Sequence, residues 1–117
     1  MQILITVDGT SFTATLGDGT SARDLVTKLP ASLEVSDFHD VEKVAHLPEG
    51  LHVYGEPEAM KPAAGDVAYD SRWGNLAMFY RDGDETIGLI KLGTIDGDVS
   101  VVETIAEDAT VVVSVVA

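Results

Sequence analysis

The sequence predicts a mainly β fold: a closed, mostly antiparallel barrel of about eight strands, with one or two short helices. Three observations carry that reading. Short apolar segments with period-two alternation recur along the chain. Connections rich in aspartate and glycine separate them. Only the segment 20–29 carries a strong helical stripe. Strands this short and numerous leave no exposed edge when they roll into a barrel. The 117 residues fit one domain, 1–117. A chain of this length buries roughly two thirds of its unfolded surface and needs no disulfide to fold.

The chain opens with a predicted hairpin. Ile3, Ile5 and Val7 share one face of residues 2–7, Asp8-Gly9 signals a tight turn, and Phe12, Ala14 and Leu16 share a face of the return strand. Thr20 or Ser21 is placed to cap a helix, with Asp24 in its first turn; Ala22, Leu25, Val26 and Leu29 form the stripe, and Pro30 forbids continuation. Residues 31–38 and 41–47 read as two strands paired through a turn at His39-Asp40. Residues 48–64 hold three prolines and two glycines and read as a long connection, with a short pairing expected over 51–54. Residues 66–70 and 75–81 are strands, the second apolar on both faces and therefore expected to be central. Gly88 and Gly93 interrupt the strand 87–95 and suggest a bulge or a barrel corner. Residues 98–107 fit either a strand or a short helix, and 110–116 is the final strand.

Net charge is −13, with 20 acidic against seven basic side chains. Such a field repels phosphate backbones and anionic lipid, so neither nucleic acid nor membrane is an expected partner. It also fits a solubilising surface, a cationic partner or a salty cytoplasm. No apolar run reaches the roughly 20 residues of a membrane helix, and the N-terminus has no basic region of a signal peptide. With no cysteine in the chain, these features lead us to expect a cytoplasmic protein.

The densest apolar stretch is Gly65-Asp66-Val67-Ala68-Tyr69 followed by Leu76-Ala77-Met78-Phe79-Tyr80. This pair of segments resembles the small bacterial and archaeal cyclophilin-like proteins, a family without an assigned activity. Lys91-Leu92-Gly93-Thr94-Ile95, running on into 97–105, resembles the strand-then-helix segment shared with true cyclophilins. The resemblance implies an eight-stranded, mostly antiparallel cyclophilin-like barrel plugged by two helices, 20–29 and 98–106. It does not imply prolyl isomerisation. Cyclophilins use an arginine in a Phe-His-Arg strand and a glutamine ahead of two phenylalanines. Here Phe38-His39 is followed by Asp40, which is no donor at neutral pH. Ala77-Met78-Phe79 holds no glutamine, and only Phe79 matches. The resemblance therefore implies a groove rather than a mechanism.

Candidate chemistry is sparse. His39 and His46 flank Glu42, a two-histidine, one-carboxylate combination. Solvated side chains around a turn explain it better, and no metal or cofactor is expected. No serine lies in a nucleophile elbow, and no glycine cluster forms a phosphate loop. Trp73, in a turn, either caps the barrel mouth as core, the favoured reading, or lines a ligand groove with Tyr69 and Phe79. The expected function is a binding module: an aromatic groove of Tyr69, Trp73 and Phe79, rimmed by Glu42 and His46, taking a short peptide or a small molecule. The alternatives are an enzyme of unrecognised type, a weak prolyl isomerase included, and a homo-oligomer whose groove is filled by its neighbour.

Overall fold

The computed structural model describes residues 1–116. The strands are β1 (Gln2–Val7), β2 (Thr10–Leu16), β3 (Ala31–Phe38), β4 (Glu42–His46), β5 (Ala59–Met60), β6 (Asp66–Asp70), β7 (Asn75–Phe79), β8 (Thr86–Ile87), β9 (Leu89–Ile95) and β10 (Thr110–Val115). The helices are α1 (Thr20–Thr27) and α2 (Ser100–Glu103). Eight strands close into a barrel in the order β1-β10-β3-β4-β7-β6-β9-β2, while β5 and β8 pair as a separate ribbon. Each neighbouring pair is antiparallel.

Local chemistry explains most of the connections. Asp8 and Gly9 have φ of 49° and 77°, so the first hairpin turns through two left-handed residues, which matches strand twist. His39 and Asp40, with φ of 54° and 56°, make the tight β3–β4 connection. There the Asp40 N–H donates to Asp37 Oδ2 at 3.0 Å, a side-chain bond that supports the turn.

Alternation sorts the apolar residues into two clusters. Ile3, Ile5, Ala14, Leu33, Val35, Ala45, Val67, Tyr69, Leu76, Met78, Val111 and Val113 fill the barrel. Leu25 of α1 and Val102 of α2 close it, both fully buried. The opposite face of β6 and β7 carries a smaller cluster, Ala68, Ala77, Phe79 and Leu89, against which Val41, Val44 and Met60 pack. That is why β7 reads as apolar on both faces: it lies between β4 and β6 and is covered inside and out.

Several expectations change. The N-cap of α1 is Gly19, with no side-chain cap from Thr20 or Ser21. Ser21 is instead buried, its hydroxyl donating to the His52 carbonyl at 2.6 Å. Asp24 accepts from the His52 N–H and from Lys28, tying the helix to the long connection instead of facing its first turn. No pairing forms over 51–54. The short pairing of that connection is β5 with β8, further along. The second helix is one turn, Ser100–Glu103, within the expected 98–106. Gly88 separates β8 from β9, and Gly93 sits at a bulge: Ala68 pairs with Lys91 and Val67 with Gly93, so Leu92 is the extra residue.

Candidate functional site

The outer face of β4, β7 and β6 is built by alternation. Glu42, Val44 and His46 point outward from β4 and pair with Phe79, Ala77 and Asn75 of β7. Ala68 and Asp70 of β6 continue the same rows. Ala68 and Ala77 are fully buried beneath this surface, packed with Phe79 and Leu89. The surface carries a cavity of about 270 Å³ lined by Phe38, Val41, Glu42, Asp70, Phe79 and Leu89. Pro62, His39 and the turn Asp82-Gly83-Asp84 complete its rim. A smaller hollow of about 40 Å³ adjoins it, sharing Phe38, Glu42 and Asp70 and adding Val44, Trp73 and Asn75. Together they form one groove across the sheet.

Aromatic side chains frame it. Phe79 is buried in the floor, whereas Phe38 and Trp73 are 49% and 65% exposed on the walls. The Phe38 ring meets His39 edge-on at 4.1 Å. The rim loop is held by the Gly83 N–H donating to the Pro62 carbonyl at 2.9 Å and by Ala64 N–H donating to Asp82 Oδ1 at 2.9 Å.

The electrostatics of the groove centre on two carboxyls. Asp70 is 6% exposed and clamped by its neighbour: Arg72 Nε donates to Oδ1 at 3.0 Å and Nη2 to Oδ2 at 2.8 Å. A planar guanidinium fork on a carboxylate is a strong, oriented pair. Glu42 has no such clamp. Burial pushes its carboxyl up, the charge of Asp70 adds to this, and Arg72 only partly offsets it, so Glu42 titrates at about 7. A carboxyl raised above its unfolded value keeps its proton longer in the folded state, so stability falls as pH rises between about 4.5 and about 7. Glu42→Gln removes that dependence. The variant should match the parent near pH 5 and exceed it near pH 8 by about 1–2 kcal/mol, discounted for the groove's contact with water. Urea titrations at the two pH values check this; an advantage independent of pH would contradict it.

The residues expected at this site divide. Glu42 and Phe79 line the larger cavity, and Glu42 and Trp73 the smaller. Trp73 is therefore no cap on the barrel mouth: the β6–β7 turn carries it outside the sheet. Tyr69 does not line the groove either. Alternation turns it inward, where it is 3% exposed and its hydroxyl accepts from the Leu51 N–H at 3.1 Å. His46 lies one row beyond, exposed, with Nδ1 3.2 Å from Asn75 Oδ1. Among the described residues, no three His, Cys, Asp or Glu side chains are grouped to hold a metal ion.

A family model, the cyclophilin-like family, matches residues 5–115. The chain belongs to this cyclophilin-like family. No curated protein sequence matches. Among solved structures, a hypothetical protein from Archaeoglobus fulgidus, determined in solution, is similar at a TM-score of 0.74 and 18% identity. The match covers 97% of this chain and 93% of that one, and at such identity it shows the fold alone. This cyclophilin-like chain carries Phe79 in the groove floor beside Glu42, with Asp40 on the adjoining turn. Among the described residues, no helix is long and apolar enough to cross a membrane.

Sequence reasoning missed three contributors. Phe38 falls on the polar side of its strand, with Ser32, Glu34 and Ser36, but nothing local places it beside Glu42 and Phe79. Asp70 and the Asp82–Asp84 turn were hidden among 20 acids.

Proposed function

We propose that this chain is a binding module whose outer groove holds a short extended peptide or a small molecule. The observation that carries the reading is the pair of solvent-facing aromatic side chains, Phe38 and Trp73, beside hollows lined by Phe79, Leu89 and Val44. Exposed aromatic faces around an apolar depression supply contact area at low entropic cost. Trp73 is the single tryptophan, so its emission reports on the groove directly. A library of acetylated hexapeptide amides and a set of common metabolites, titrated separately, should shift or quench that emission with at least one saturable member. Phe38→Ala removes a half-exposed wall without opening the core, and should weaken that binding about tenfold while leaving the unfolding midpoint unchanged. Emission that no member alters, or binding indifferent to Phe38, would refute the groove.

An enzyme is the second reading, and Glu42 favours it. A carboxyl that titrates near neutrality beside a clamped carboxylate is the arrangement general acid–base chemistry uses. Proton transfer through Glu42 would give any turnover a pH profile with an inflection near 7 that Glu42→Gln abolishes.

A further inference from the structure

The charged side chains around the groove do not balance. Glu42, Asp70, Asp82 and Asp84 line it, with His39 on the rim. Arg72 is clamped on Asp70 through Nε and Nη2, and its charge only partly offsets the acids at Glu42. Glu42 and the Asp82-Gly83-Asp84 turn thus line a depression to which, among the described residues, no lysine or arginine side chain contributes. Asp82 uses Oδ1 for the Ala64 N–H, but a backbone amide does not neutralise a carboxylate. The whole chain adds a field of net charge −13, and a concave surface lined by one sign concentrates that potential.

Apolar features of the same groove indicate what else the occupant carries. Phe38 and Trp73 are exposed beside the acids. A ring face attracts a cation through its quadrupole. Leu89 and Phe79 offer a dry floor for an uncharged side chain. The two hollows share Phe38, Glu42 and Asp70, and the larger, at about 270 Å³, has room for more than a single ammonium group.

We infer that the occupant is an extended peptide segment that sets a lysine or arginine between Glu42 and the Asp82–Asp84 turn and lays apolar neighbours over Phe79 and Leu89. This inference deepens the binding-module reading and rests on it. The cation supplies the charge the groove lacks, the aromatic walls hold its stem, and the floor selects the flanking residues. Acidic and phosphorylated segments are excluded by the same surface.

A positional-scanning library of acetylated hexapeptide amides, read by Trp73 emission on the full chain, tests it. Pools fixed as arginine or lysine at one position should bind about tenfold tighter than pools fixed as glutamine or glutamate there. The preference should shrink when salt is raised from about 50 mM to about 500 mM, as screening requires. Asp82→Asn combined with Asp84→Asn should cut the ratio of cationic-pool to glutamine-pool affinity at least threefold. Equal binding of cationic and neutral pools overturns the inference and leaves the groove reading standing. Binding by no pool overturns both. Displacement of the cationic pools by free agmatine or spermidine at matching concentration overturns the peptide as occupant, because a small amine then suffices. A tenfold preference that persists at high salt with both aspartates replaced also overturns it.

Discussion

Gly93→Ala is expected to destabilise the protein by about 3–5 kcal/mol, or to prevent folding. Gly93 lies at the seam where β9 meets β2, paired with Leu16, and on its other side with Val67 at the bulge. A methyl group there would stand 2.1 Å from the Thr15 carbonyl oxygen and 2.8 Å from Leu16 Cα. Those are backbone atoms of a hydrogen-bonded strand, so no rotamer change relieves the clash. The chain must either part the seam or move the bulge, and interiors transmit such shifts instead of absorbing them. Gly17→Ala is the matched control, since its methyl would come no nearer than 3.8 Å to the Leu92 carbonyl oxygen. Urea unfolding of both variants decides the matter. A Gly93→Ala midpoint within about 1 kcal/mol of the parent would mean that the seam is looser than its geometry indicates.

Asp37→Ala should cost about 3 kcal/mol, by a different route. Lys43 points into the barrel with its side chain only 8% exposed, and its ammonium lies 3.2 Å from Asp37 Oδ1. The Tyr80 hydroxyl donates to the same oxygen, and its ring sits 5.7 Å from the ammonium. Removing Asp37 leaves a buried cation without its counter-ion and a hydroxyl without its acceptor. Burial alone would raise the Asp37 carboxyl, but bonds from Tyr80, the Asp40 N–H and Lys43 outweigh it and hold the group below its ordinary range. A depressed carboxylate contributes stability above its unfolded value of 3.8, and loses it as pH falls through the folded one. The gap between parent and variant should therefore be full at pH 6 and close on acidification below about 4. Adding Lys43→Met to Asp37→Ala should recover most of the loss, because an apolar replacement removes the stranded charge. Failure of the double variant to recover would point instead to the Tyr80 hydroxyl. That hydroxyl is pushed up by burial and by Asp37, and it needs an acceptor of its own.

Much of the barrel was legible because strand patterning is local. The Ile3-Ile5-Val7 alternation, the Asp8-Gly9 turn and the doubly apolar 75–79 segment each announce themselves within a few residues. Gly93 likewise read as a bulge or corner before any geometry was known. The candidate site was less legible. Parity along β6 decides that Tyr69 faces inward and Asp70 outward, but parity alone does not say which face is the core when both are apolar. Glu42 has an ordinary strand context; its rise towards neutrality comes first from burial and then from the charge of Asp70, both set by β4–β7–β6 pairing. The helix caps failed for a related reason. Ser21 found a better partner in the His52 carbonyl, a group 31 residues away.

The sequence by itself determined that this chain makes short antiparallel strands with one amphipathic helix, where its tight turns fall, and that Asp40 follows Phe38-His39. Those are properties of neighbours along the chain, set by side-chain period, φ preference and residue identity. Only the tertiary structure decided that Phe79 lies outside the barrel, that Trp73 stands exposed beside Glu42, and that Glu42, Asp70, Asp82 and Asp84 gather around one hollow. Closure of the barrel juxtaposes strands far apart in sequence, and the charge and exposure of a site belong to that juxtaposition rather than to any segment of it.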